Sequence, residues 1–271
     1  MDDNIRCLIK EYVHENIDSF HDNRLAKLQG LKLRDILANK NPYLFKARNL
    51  NRADELMAAL LDASLSSGEE SSFGNFLEDL AIYIAEITGG GSKSAVEGLD
   101  IELTRGGVRY LIAVKSGQKW GNAGQHKKLL DYFKAAAKVL KQSKRSGPFQ
   151  LVEGICYGRF GKPNRGEREK GHYIRLIGQS FWQLISGDPD LYVDLIEPLG
   201  HESEAHATRY RTEKDATYNR LTREFTIEYC DKDGNIDWPK LVRFVSETVS
   251  SESDRGTAQL TLLTPDASGP N

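Results

Sequence analysis

Asp100 and Lys115 stand fifteen residues apart, near the outer ends of two β-rich runs at 98–103 and 108–114 that are separated by Thr104-Arg105-Gly106-Gly107. Such runs joined by a glycine-containing turn predict a hairpin, which returns Lys115 to the neighbourhood of Asp100. Asp100 lies between Leu99 and Ile101, and Lys115 follows Val114, so each polar group interrupts a sheet built for burial. A buried polar group needs a partner. Two chemistries fit the pair. One is a buried ion pair. The other is metal-assisted phosphodiester cleavage, in which a carboxylate holds a divalent ion that stabilises charge and activates water while an ammonium orients that water or stabilises charge.

The elements that must position these groups are legible in the hydrophobic periodicity. Ile5, Leu8, Ile9, Tyr12, Val13, Ile17 and Phe20 recur at helical spacing and predict an amphipathic helix over 5–20. Leu31, Leu33, Ile36 and Leu37 follow, and Asn39-Lys40-Asn41-Pro42-Tyr43 reads as a helix stop. A helix over 51–65, capped by Asn51, buries Ala53, Leu56, Met57, Leu60 and Leu61. Ser66-Ser67-Gly68 then punctuates the chain before an apolar helix over 73–87, with Glu78 at the edge of its stripe. Beyond the hairpin the pattern predicts a helix over 124–142, strands over 151–157 and 173–177, and helices over 180–185, 191–195 and 205–225. Residues 158–171, rich in Gly and basic groups, read as a flexible basic loop, and the tail beyond Ser250 as mobile apart from 259–263.

Charge sharpens the reading. The chain of 271 residues has a net charge of −2, but residues 115–175 hold ten Lys and five Arg against four acids, a local +11, leaving −13 elsewhere. Such a segment suits a polyanion, or is a solvated helix face. No window has the roughly 18 uninterrupted apolar residues of a membrane helix, and the start lacks the pattern of a signal peptide. Cys7, Cys156 and Cys230, odd in number and widely spaced, make neither a disulfide framework nor a structural zinc site, so a soluble, cytoplasmic protein is expected. Gly89 to Ser94 lacks the spacing of a phosphate loop, and Asp231, Asp233 and Gly234 read as a turn rather than a calcium loop.

The order of helix, hairpin, helix and buried strand resembles the PD-(D/E)xK nuclease superfamily. Five blocks in sequence sharpen this: Asn39-Lys40-Asn41-Pro42-Tyr43-Leu44-Phe45; Ser66-Ser67-Gly68-Glu69-Glu70 with Phe73-Gly74 and Leu77-Glu78; Gly98-Leu99-Asp100; Val114-Lys115-Ser116-Gly117 with Trp120-Gly121-Asn122; and Gly154-Ile155-Cys156-Tyr157-Gly158. Together they are similar to PmeII-like type II restriction endonucleases. The resemblance implies an α/β fold with a restriction-endonuclease-like core, a mixed central β-sheet flanked by helices, and additional N- and C-terminal helices. It divides the chain into a helical N-terminal subdomain (1–65), a nuclease core (66–178), a C-terminal helical region (179–250) and a tail (251–271), with the helical parts serving DNA contact or dimerisation.

By the same resemblance Asp100 is the metal-binding aspartate, Lys115 the active-site lysine and Mg2+ the cofactor. The superfamily motif has an acid two residues before the lysine, where this chain has Ala113. Glu78 matches the family's acid after Phe-Gly and is the expected substitute, with Asp79 and Glu102 as alternatives; Glu102, two residues from Asp100, shares its strand face. Lys93, Lys119, Trp120, Asn122 and Gln125 near the hairpin ends, and Lys162 and Arg165 in the basic loop, are the candidate DNA contacts. A palindromic target requires a two-fold homodimer. The implied activity is Mg-dependent, site-specific hydrolysis of double-stranded DNA. Ala113 keeps open a catalytically inactive DNA-binding protein, and a single-strand or RNA nuclease is a third possibility.

Overall fold

The stripe at 5–20 belongs to a longer helix, α1 (Asp3–Gln29), which Asp2 caps by accepting the Asn4 N–H and which buries Ile9, Val13 and Ile17. The computed structural model describes residues 1–142, 147–159, 173–200 and 204–247, together with the backbone of Glu167–Lys170. After α2 (Leu33–Ala38) the chain stops, as expected, and Asn41 caps α3 (Pro42–Ala47) by accepting the Tyr43 and Leu44 N–H groups.

The expected break at Ser66-Ser67-Gly68 does not occur. One helix of 35 residues, α4 (Ala53–Ile87), runs straight through it. A glycine inside a helix costs about 1 kcal/mol against alanine, but here tertiary contacts hold the segment: Lys27 donates to the Gly68 carbonyl and the Ser72 hydroxyl, and Glu69 accepts from Arg24 at 2.6 Å and from Tyr210 at 2.9 Å. Asn51 does not cap this helix; its amide donates to Asn49, and the Arg52 carbonyl receives the Leu56 N–H.

Next come β1 (Gly91–Lys93), β2 (Ile101–Arg105) and β3 (Val108–Gly117). Gly106 and Gly107, both at positive φ (59° and 77°), form the two-residue turn of the hairpin, a conformation glycine adopts without strain. Helix α5 (Ala123–Gln142) crosses over to β4 (Phe149–Tyr157), which pairs parallel with β3. Then follow β5 (Glu167–Lys170), β6 (Tyr173–Ile177), α6 (Gln179–Ser186), α7 (Leu191–Asp194), α8 (Ile196–Leu199), α9 (Glu204–Tyr229) and α10 (Trp238–Ser246). The six strands order as β1-β2-β3-β4-β6-β5, antiparallel at both margins and parallel at β3-β4-β6. This is the expected α/β fold, a mixed sheet between helices.

The backbone of Glu167–Lys170 corrects the expected loop at 158–171: it pairs with β6 as an edge strand, a position that tolerates a fully charged sequence. Strand β1 and helices α3, α8 and α10 were also not expected. Lys162, Arg165 and the tail from 248 lie outside the described residues.

One sheet face packs Ile101, Ile112, Val114 and Val152 against Leu80 and Ile84 of α4 and Phe181 of α6; the other packs Leu111, Ala113 and Leu151 against Leu129, Phe133 and Ala136 of α5. Two compact units emerge, Met1–Leu31 with Leu61–Asn219, and Lys32–Leu60 with the described residues of Arg220–Asn271. The first holds the sheet. The second is helical, with Leu37, Phe45, Leu56, Phe225 and Leu241 buried. In its turn between α9 and α10, Asp231 accepts the Asp233 and Asn235 N–H groups, an Asx turn as expected. No helix among the described residues is long and apolar enough to cross a membrane.

Candidate active site

Strand β2 stops pairing at Ile101 while β3 continues to Gly117. At that step Asp100 takes over from the ladder. Its N–H donates to the Ile112 carbonyl at 2.8 Å, and its side-chain Oδ2 accepts the Val114 N–H at 2.6 Å. The carboxylate is thereby fixed by main chain, and Lys115, the next residue, brings Nζ to 3.9 Å from the same oxygen. The lysine ammonium also donates to the Val114 carbonyl and lies 5.3 Å from the centroid of the Trp120 ring.

Glu78 reaches the same point from α4. Burial raises its pKa above the ordinary carboxylate value, the Asp100 charge raises it further, and Lys115 opposes both. Burial also raises the pKa of Asp100, opposed by Lys115, by the Val114 N–H and by a hydrogen bond from Glu78. Two carboxyl groups brought close in a half-buried place hold a proton more tightly than either would in water. A nearby cation relieves that tension.

These groups line a cleft of about 580 Å3 at the end of the sheet, between α4 and α5. On α4, Glu70, Gly74 and Glu78 recur every four residues and so share one helix stripe. Gly74 faces Ser116 of β3, where a Cβ would make ordinary contact at 3.4 Å with the hydroxyl. On α5, Gln125, Lys128 and Tyr132 form the opposite wall. The Tyr132 ring covers Gly98, where φ is +76° and any side chain would overlap the ring.

The model of the family described as type II restriction endonuclease EcoO109I matches residues 8–207, more than two thirds of the chain. The chain belongs to the EcoO109I family of type II restriction endonucleases. There is no match among curated proteins. All of the cleft-lining residues fall within the span matched by the EcoO109I family.

Against this family background the expected residues separate into groups. Asp100, Lys115 and Glu78 converge. Glu102 does not: it is held by Arg109 and by the Ser94 hydroxyl at 3.3 Å, and it does not line the cleft. Two residues along an extended strand carry a side chain roughly 7 Å away, here toward the hairpin turn and an arginine. Asp79 is exposed on α4, outside the lining. Lys93 is exposed on β1, and its charge is felt at Asp100. Lys119 is exposed, whereas Trp120 is half-buried and donates its indole N–H to Glu153 at 2.8 Å.

Asn122 and Gln125 form a capping box at the start of α5. The Asn122 side chain accepts the Gln125 N–H at 3.1 Å, and the Gln125 side chain accepts the Asn122 N–H at 2.8 Å. Their oxygens are thus committed to backbone. The N-x-x-Q spacing carries this signal in the sequence. Glu153 carried one too: a single acid within the apolar run 151–156 must find a buried partner, and it finds Arg175 and Trp120.

Proposed function

We propose that this EcoO109I-family protein is a PmeII-like, magnesium-dependent, site-specific endonuclease that cuts double-stranded DNA as a homodimer, with Asp100, Glu78 and Lys115 as its active-site groups. The observation that carries the reading is the convergence of two carboxyl groups and one ammonium in a single cleft at the end of the sheet. The five sequence blocks support the PmeII-like assignment. Three free cysteines accord with a reducing cytoplasm.

The donor set fits magnesium. No group of three or more His, Cys, Asp or Glu side chains poised to hold a metal occurs among the described residues, but Mg2+ keeps several waters and needs only one or two carboxylates from a protein. Asp100 and Glu78 are the pair that would hold it. When bound, the ion supplies Lewis-acid stabilisation of the phosphoryl charge and makes water a better nucleophile. Lys115, steadied by the Val114 carbonyl and the Trp120 face, directs its positive charge to the place where the attacking water and the scissile phosphate would meet. Lys128 stands on the cleft wall of α5 where the duplex backbone would pass, and Lys127, Lys134, Lys138 and Lys141, exposed on the other side of that helix, add to the positive field around it. A two-fold pair of subunits then cuts both strands.

A second reading, a DNA-binding protein that does not cut, draws on Ala113, which supplies no carboxylate at the motif position. Digestion of a mixed-sequence plasmid separates the two. Discrete fragments that require both magnesium and Asp100 support the endonuclease. An intact plasmid that nonetheless shifts on a gel supports the binding protein.

A further inference from the structure

Glu153 is fully buried, with 0% of its surface exposed, in the middle of β4. Arg175 on β6 grips it with two bonds, Nε to Oε2 at 2.7 Å and Nη2 to Oε1 at 2.6 Å, and the Trp120 indole N–H donates to Oε1 at 2.8 Å. Breaking such a buried pair is costly, yet replacing the whole pair by apolar residues of similar volume is often neutral or stabilising. Stability is therefore weak grounds for its presence. What the pair does locally is fix an indole. Ala113, Glu153 and Arg175 stand level on β3, β4 and β6, and the small side chain at 113 leaves the carboxylate open to the connection between β3 and α5. Trp120, from that connection, turns inward to bond Glu153, rests against His126 with ring centroids 4.3 Å apart, and covers the Lys115 ammonium. Trp120 and Lys115 line the cleft, whereas Glu153 and Arg175 do not.

We propose that Glu153 is a positioning residue for the active site, acting through the Trp120 indole to hold the ring over the Lys115 ammonium. This rests on the nuclease reading given above. It makes Trp120 a part of the lysine's housing rather than a DNA contact, and it assigns the buried ion pair on β4 and β6 a role in the rate of cutting.

The test compares wild type, Trp120→Phe, Glu153→Gln and the double variant in two assays: duplex affinity in calcium, and the single-turnover cutting rate of the saturated complex in magnesium. Trp120→Phe keeps an aromatic face but removes the indole donor together with the five-membered ring that carries it. It is expected to slow cutting roughly tenfold or more with unchanged affinity, because small misplacements of a reacting group are expensive. Glu153→Gln, which removes the charge that holds the indole and Arg175, is expected to add little further loss in the Trp120→Phe background, since Glu153 reaches the lysine only through the Trp120 indole. A wild-type rate in Trp120→Phe, additive losses in the double variant, or lost affinity with an unchanged rate would each overturn the proposal. If Glu153→Gln does not fold by circular dichroism, Trp120→Phe decides alone.

If the wild-type protein cuts no duplex, the nuclease reading fails, and 19F spectra of 5-fluorotryptophan-labelled protein decide the positioning claim. The Trp120 resonance, identified by its loss in Trp120→Phe, is expected to move in both Lys115→Met and Glu153→Gln. A resonance unmoved by either overturns the contact chain.

Discussion

The Lys115 ammonium lies 3.9 Å from the carboxylate of Asp100, two groups brought together by a hairpin whose strands part at Ile101. If this pair were only an ion bridge, its loss would affect stability alone. As active-site groups, Asp100→Ala and Lys115→Ala should each slow DNA cutting by about a hundredfold or more, while duplex binding in calcium persists. Gel-shift and plasmid-cutting assays on the same preparations check this. Wild-type rates in both variants would refute the assignment.

If Glu78 and Asp100 hold magnesium as proposed, metal and proton compete there, because the pKa values of both are raised, chiefly by burial. An acid with a raised native pKa binds its proton more tightly when folded. Its contribution to stability is complete below the unfolded value and is lost as pH rises through the native one. Without metal, wild-type Tm should therefore fall as pH rises above the usual carboxylate range, and Glu78→Gln should flatten that fall. Magnesium should raise Tm more at higher pH in the wild type, and much less in Asp100→Asn. Thermal melts across pH, with and without magnesium, read both effects.

The motif acid at 113 is absent for a reason visible in the sheet. Position 113 is fully buried and level with Glu153, so an acid there would place a second carboxylate beside one already buried. Ala113→Glu should lower Tm and should not raise the cutting rate. An active, equally stable Ala113→Glu protein would contradict the register of β3 and β4.

Burial pushes the Cys156 thiol up to about 12, with the nearby Glu78 charge adding to the rise and Lys115 opposing it, whereas Cys7 is exposed. Because the thiolate is the reactive form, a thiol reagent at neutral pH should modify Cys7 in the native protein and Cys156 only after denaturation. Mass spectrometry of the labelled peptides distinguishes the two sites. Prompt native labelling of Cys156 would place it outside the core.

Duplex affinity should fall steeply with salt, the slope scaling with the number of phosphates neutralised, about −0.9 for each. Under the endonuclease reading Lys128, which lines the cleft, supplies one such contact, and the other exposed lysines of α5 strengthen the attracting field. An affinity indifferent to salt would turn this face away from DNA.

Periodicity and turn chemistry made most of this architecture legible. The apolar stripes marked α1, α5 and both halves of α4, and the paired glycines at 106 and 107 brought Asp100 to Lys115. What stayed hidden depends on contacts between distant segments. Ser66-Ser67-Gly68 reads locally as a break, and contacts from Arg24, Lys27 and Tyr210, remote in sequence, brace it as helix. Strand β5 has no apolar alternation because it is an edge, held by backbone pairing with β6. Glu78 could be nominated from its family block, but its nearness to Asp100 is a matter of how α4 lies on the sheet.

The bond from the Val114 N–H to Asp100 has a consequence for inheritance. A carboxylate aimed by another side chain loses its aim whenever that partner mutates. Asp100 is aimed by the polypeptide itself, and of the twenty residues only proline lacks the donor. Nineteen residue types at 114 preserve the donor, so natural variation there can rework the packing around the carboxylate without deleting the group that orients it.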